Sequence, residues 1–217
     1  MADVRVEVTR VALSTAAATN TTDITISGFG TPKAAIFIYN SAVSDDTITA
    51  DFSSGIGWTD GTRENVIFGI SQDNVATTNT ARIQRTDRVI SYCDSSGSTE
   101  TGGFSFDSWI TDGVRLYIDN DMPSAYLCTC IFFAGDDISN AYCDTHDNIG
   151  VTTDITAPGF EPDLVFISSI TSGVTPPVNS TQNILSFGCG INDGLDTQRV
   201  ILTGSQDAVI RGTVNAY

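Results

Sequence analysis

The search for side chains able to do chemistry begins with the one histidine of this 217-residue chain, His146, in Cys143-Asp144-Thr145-His146-Asp147. Any nucleophile–histidine–acid arrangement would hang on that residue alone. A Cys/Asp/His metal cluster could be drawn there, but the stretch reads more simply as a polar, solvated joint between structural units. Carboxylate pairs for glycosidic chemistry would need two acids facing one cleft. Glu64, Glu100 and Glu161 all lie near turns, and nothing in the sequence pairs them. Asp119-Asn120-Asp121 and Asp136-Asp137 follow strand-like runs and could hold calcium, without the spaced ligand series of a recognised loop. No dinucleotide fingerprint, P-loop, HExxH or GxSxG motif stands in its required context. The expectation is therefore no catalytic residues, no cofactor, no metal and no enzyme. A hydrolase using the loop glutamates is the weakest of the readings kept open.

Two aromatics remain as candidate contacts for a partner or a glycan, Trp58 and Trp109. In Phe104-Ser-Phe-Asp-Ser-Trp-Ile110, strict alternation puts Phe104, Phe106, Ser108 and Ile110 on one face and Ser105, Asp107 and Trp109 on the other. Trp109 then shares a polar face, open to solvent or covered by a partner or a loop. Exposed tryptophan beside Asp and Asn is a common sugar platform on β-sandwiches.

The elements that must position these residues are strands. Helical periodicity is missing, and Thr, Val, Ile, Ser, Gly and Asp dominate in short β-prone runs broken by turn signals. Strands are predicted over Val4–Leu13, Asp23–Ser27, Ala34–Tyr39, Thr47–Phe52, Val66–Ser71, Ala81–Gln84, Val89–Cys93, Phe104–Ile110, Val114–Ile118 and Ala125–Phe133. The same texture returns in Leu164–Ser168, Asn183–Gly188, Val200–Thr203 and Val209–Thr213. The clearest hairpin joins Phe104–Ile110 to Val114–Ile118 around Asp112-Gly113. The fold class is all-β, with antiparallel sandwich or jelly-roll-like units.

The return is a repeat. Thr22-Asp-Ile-Thr25, Gly28-Phe29 and Pro32 precede one apolar strand; Thr153-Asp-Ile-Thr156, Gly159-Phe160 and Pro162 precede another. Gly57, Asp60 and Gly61 then match Gly190, Asp193 and Gly194, and Ser71-Gln-Asp73 matches Ser205-Gln-Asp207. The division expected is a first unit over 1–140, a linker over 141–152 and a second, incomplete unit over 153–217. The second unit's missing strands could come from a longer product, from the Val4–Leu13 strand, or from a neighbouring subunit adding to an open edge.

Composition narrows the partners. Twenty-six acidic residues against 10 basic ones give a net charge of −16, which disfavours free nucleic acid and anionic membranes. The acid is mostly Asp, which suits turns. No apolar run approaches the ~20 residues of a bilayer-spanning helix, and no signal peptide is visible, so synthesis in a cytoplasm is expected. Five cysteines without CxxC spacing imply neither a closed disulfide framework nor a zinc ribbon, and Cys128 and Cys130, two apart in an apolar strand, read as small buried hydrophobes in a reducing compartment.

An ordered set of motifs carries a resemblance: Gly28-Phe29-x-x-Pro32-Lys33-Ala34, Gly57-x-x-Asp60-Gly61, Ser71-Gln-Asp73-Asn-Val-Ala-Thr-Thr-Asn79, Phe106-Asp with Asp112-Gly113, and Phe132-Phe-Ala-Gly-Asp-Asp137. By these the chain resembles a family of duplicated β-rich virion proteins of tailed phages. The resemblance implies capsid decoration (cement), a head fibre or a tail-associated role, made in the host cytoplasm and located in the virion. It implies major capsid or tail proteins as partners, together with homo-oligomers. Lys33 becomes Asp163 in the second copy, so that lysine is not a property of the fold. A glycan-binding receptor module of a fibre or spike, using Trp58 or Trp109, is the alternative.

Overall fold

The computed structural model describes residues 3–46, 51–72, 79–94, 96, 99–146, 155–170, 178–179, 182–191, 197–206 and 215–216. These residues form strands and turns without helix. In chain order the strands are β1 (Arg5–Ala12), β2 (Thr21–Thr25), β3 (Ala34–Tyr39), β4 (Phe52–Thr59), β5 (Glu64–Ser71), β6 (Thr80–Arg85), β7 (Ile90–Cys93), β8 (Glu100–Ile110), β9 (Gly113–Asn120), β10 (Leu127–Ala134), β11 (Leu164–Ile170), β12 (Val178–Asn179), β13 (Gln182–Ile191), β14 (Thr197–Gln206) and β15 (Asn215–Ala216).

Three antiparallel sheets result. A central sheet of seven strands runs β1-β10-β3-β4-β5-β6-β12. A sheet of four, β2-β9-β8-β7, packs on one face of it, and another of four, β11-β13-β14-β15, packs on the opposite face. The central layer explains the near-continuous apolar runs Ala34–Tyr39 and Val66–Ile70, because a strand buried on both faces has no solvent side to keep polar.

The first core lies between the central sheet and β2-β9-β8-β7. Phe37, Phe68, Phe104, Phe132, Ile83, Ile90, Leu116 and Ile118 are fully buried there. Phe68 stacks on Tyr39 at 5.7 Å, and Tyr92 follows at 4.5 Å. Tyr39 also joins the two sheets through its hydroxyl, which donates to Ser91 O at 2.6 Å and accepts from Ser91 N at 2.9 Å. Burial holds that phenol well above its ordinary value, so it stays a neutral donor. Cys93, Cys128 and Cys130 are buried free thiols in this core, the last two as their apolar strand led us to expect.

The landmark Gly-Phe turn is tied to the Asp112-Gly113 hairpin. Gly28 and Gly30 donate to the Asp112 carboxylate at 3.0 and 2.8 Å, while Phe29 is buried and meets Phe132 at 6.1 Å. These backbone donors hold the Asp112 carboxyl below the usual range. Two motifs 84 residues apart are thus one corner of the sandwich.

Three expectations change. Val4–Leu13 does not complete the second unit: β1 pairs with β10 from Arg5↔Ala134 to Ala12↔Leu127 and closes one edge of the central sheet. The pairing follows from the face pattern, with Val11 opposite the core thiol Cys128. A strand over Thr47–Phe52 falls partly outside the described residues; the described strand runs Phe52–Thr59, through Gly55 and Gly57, which lay outside the predicted strands. Glycine weakens a strand, yet it serves where another backbone comes close. The predicted strand Val209–Thr213 lies outside the described residues.

The two segments that share the sequence landmarks each lie in a three-stranded antiparallel meander, β3-β4-β5 in one and β11-β13-β14 in the other. Each is entered through a glycine in the left-handed region, Gly28 at φ 79° and Gly159 at φ 72°. Their pairing registers differ: Gly57 faces Phe37 and Val66, whereas Gly190 faces Val165 and Gln198.

Candidate functional site

Charged side chains gather at one end of the first sandwich, where β5, the Arg85–Arg88 turn, β8 and β9 meet. Glu100 opens β8 and is saturated by Arg85 Nη1 at 2.8 Å, Ser91 Oγ at 2.6 Å and Asn120 Nδ2 at 3.0 Å. Arg85 also binds Asp87 at 2.7 Å. Arg88 Nε lies 3.3 Å from Asp119 Oδ2, an ion pair by distance whose atoms are not aligned for a hydrogen bond. A buried network of this kind orients its members more than it stabilises the chain.

Glu64 sits beside the network at the start of β5, and its Oε2 accepts from Phe106 N at 2.6 Å. Burial, against the smaller pull of that hydrogen bond and of Arg88, raises its carboxyl from 4.5 to about 7. Asp87 is held low by its hydrogen bond to Arg85, and Asp144 by its hydrogen bond from Tyr142. All three carboxylates line one surface cleft of about 280 Å³, together with Thr62, Arg63, Asn65 and Thr86. Burial thus holds one carboxyl of the cleft high, while hydrogen bonds hold the other two low. Glu161 is elsewhere, exposed in the turn before β11, so the three glutamates do not share a site.

Because Glu64 is raised, the fold holds a proton there that the unfolded chain releases above about pH 4.5. The stabilisation is complete below that pH and is lost as pH rises through about 7. Glu64→Gln is expected to match the parent at pH 5 and exceed it at pH 8. After allowance for its partial exposure the gain is about 1–2 kcal/mol. Urea unfolding at the two pH values measures it; an equal offset at both would refute the assignment.

The residues around His146 are not a free joint where they are described. Cys143 N donates to Asp60 Oδ2 at 2.9 Å, Asn65 Nδ2 to Cys143 Sγ at 3.0 Å, and Arg63 stacks over the Tyr142 ring at 4.4 Å. Asp60 itself caps the turn through Thr62 N and Arg63 N, the turn role its Asp-Gly context suggested. Asp193 lies outside the described residues. Burial pushes the Cys143 thiol up to about 11, which makes it a poor nucleophile. His146 is exposed. Of the proposed calcium acids, Asp121 accepts from Ala18 N and Asp137 from Asp3 N, so both serve as caps for backbone N–H groups. Among the described residues no three His, Cys, Asp or Glu side chains converge on a point that could hold a metal.

The two tryptophans are used inside the chain. Trp58 lies on the outer face of β4, where it stacks on Phe187 at 5.9 Å, meets Phe166 at 5.8 Å and donates Nε1 to Ser168 Oγ at 3.0 Å. Its contact is the second unit. Trp109 requires a correction. A β-bulge between Phe106 and Ser108 adds one residue to β8, so Phe106 opposes Leu116 and Trp109 opposes Val114. Phe106 and Trp109 therefore share the core-side face and meet edge-on at 4.8 Å, and Trp109 packs against the Gly61 turn. Strict alternation had separated them. The signal available was the unbroken polar pair Asp107-Ser108 in an otherwise alternating strand.

Sequence reading also missed an apolar outer surface. Val6 and Val8 project from edge strand β1, with Val4 just before it, and Val165, Ile167 and Val200 from the second unit, all exposed. The chain matches no family model, no curated protein and no solved structure.

Proposed function

We propose that the chain is a structural protein of a tailed-virus particle, most simply a capsid-decorating or other head or tail surface component, acting through protein–protein assembly. The observation that carries this reading is the exposed apolar surface on two of its sheets, in a chain whose remaining exterior is strongly acidic. Apolar patches of this kind on a charged protein mark docking surfaces. The buried free thiols and the three-layer β scaffold fit the same reading. The glycan-receptor alternative draws little from the tryptophans, since Trp58 and Trp109 each spend their ring faces on intramolecular contacts.

Mass spectrometry of purified particles, separated into heads and tails, tests the proposal. The product is expected in the particle at a stoichiometry set by particle symmetry, in the head fraction for a decorating protein. Recovery with tails alone would move the role to the tail. Absence from particles, with the product abundant in the infected cell, would overturn it.

A further inference from the structure

We infer that the outward face of β11-β13-β14 is half of a β-sandwich, and that a second copy of this chain completes it face to face. This deepens the assembly reading and rests on it, in taking docking as the task of that face.

Aligned on Pro32 and Pro162, the positions of β3 that face the first core, Ala35, Phe37 and Tyr39, fall on Val165, Ile167 and Ser169. These three point away from the central sheet, because their neighbours Phe166 and Ile170 are the ones packed against it. Likewise Gly55-x-Gly57 falls on Gly188-x-Gly190. The first pair faces the core, and the second pair is opposite Ile167 and Val165 on the outward face. Val66 matches Val200, which opposes Gly188. Both pairings of the second meander are shifted by two residues from the first, and a shift of two keeps every side chain on its face. The outward face thus carries the counterparts of strand positions that in the first unit lie beneath a whole sheet.

The glycines show what such a face is for. In the first unit a Cβ on Gly57 would lie 1.7 Å from Val89 O, so the trough exists to admit the opposing layer. At Gly188, the counterpart of Gly55, the atoms nearest to a Cβ are Arg199 O and Val200 of its own sheet, where Gly55 has the Tyr39 ring. Val165 and Ile167 are 36% and 58% exposed and Val200 is 71% exposed. Among the described residues nothing covers them.

Charge and shape favour a second copy. With a net charge of −16 two copies repel each other in general, yet Val165, Ile167, Ser169, Ser186 and Val200 bring no formal charge to this face. A two-fold axis that lays β11 of each copy over β13 of the other sets Val165 and Ile167 into the glycine trough, twice. Three strands ~4.8 Å apart and about eight residues long present roughly 400 Å² in projection. That places the pair near the low end of specific interfaces, about 1,000 Å² in total. The association is therefore weak and concentration-dependent.

Sedimentation velocity on the full chain from 1 to 100 μM is the test. A monomer–dimer equilibrium is expected, weakened at least tenfold by Ile167→Lys and unchanged by Val6→Lys, a matched charge on the separate β1 patch. Far-UV circular dichroism confirms that both variants keep their strands. A monomer throughout the range, or a dimer indifferent to Ile167→Lys, overturns the inference. A dimer that is absent from purified particles would instead refute the virion role and leave the dimer standing. A monomer found in particles would do the reverse.

Discussion

Gly57→Ala is expected to unfold the first sandwich. A single added methyl at Gly57 lies 1.7 Å from Val89 O and 2.7 Å from its carbonyl carbon. Those atoms are main chain, and they lead directly into β7, whose residues are paired with β8 and buried. Neither layer can give way without breaking its own ladder, so relief requires the two sheets to separate. Overpacking of a core commonly costs about 1–3 kcal/mol; a main-chain collision across a sandwich exceeds that range, to about 4 kcal/mol or more. Domains of this size are stable by roughly 5–15 kcal/mol, so most of the reserve is gone. Urea denaturation followed by circular dichroism measures the change. A Gly57→Ala variant with the parent's unfolding midpoint would show that the sheets are not in contact there.

The second large effect is expected at Trp58. Trp58→Ala removes the ring that Phe187 and Phe166 pack on and the donor to Ser168 Oγ. Large-to-small changes of buried aromatics cost about 3–5 kcal/mol. Trp58 is half-buried, so the value belongs near the lower end, about 3 kcal/mol. The loss falls on the contact between the second unit and the central sheet, where Ile36, Ile56, Ile67 and Leu185 are the buried hydrophobics among the described residues. Limited proteolysis should therefore cleave within residues 155–206 much sooner than in the parent. The core of the first unit should unfold at an almost unchanged denaturant concentration. Trp109, the remaining tryptophan, reports that core by fluorescence. Equal cleavage rates would mean that the aromatic cluster does not hold the units together.

These two residues also show where sequence reading stopped. Gly57 was legible as a landmark of the repeat, but it lay outside the predicted strands. What it does depends on the backbone leading into β7, a distant part of the chain. Trp58 was legible as an aromatic needing a partner. That the partner is Phe187 of the same chain depends on how two sheets stack, and no local pattern encodes that. Trp109 was placed on the wrong face because one bulge residue reverses the alternation beyond it. Glu64 was named and left unpaired. Its raised carboxyl arises from burial at the meeting of β5, β8 and the Arg85–Arg88 turn.

By itself the sequence determined most of the strands, the hairpin at Asp112-Gly113 and the all-β class. These follow from alternation, β-branched content and turn chemistry within short windows, which act before any long-range contact forms. The tertiary structure alone decided the assignment of β1 to the central sheet, the burial of that sheet on both faces, the gathering of Glu64 with Asp87 and Asp144, and the exposure of Val165, Ile167 and Val200. Each is a choice of which apolar face meets which. Many sheets offer equally greasy faces, and only the full set of packing contacts makes one arrangement lower in free energy than the rest.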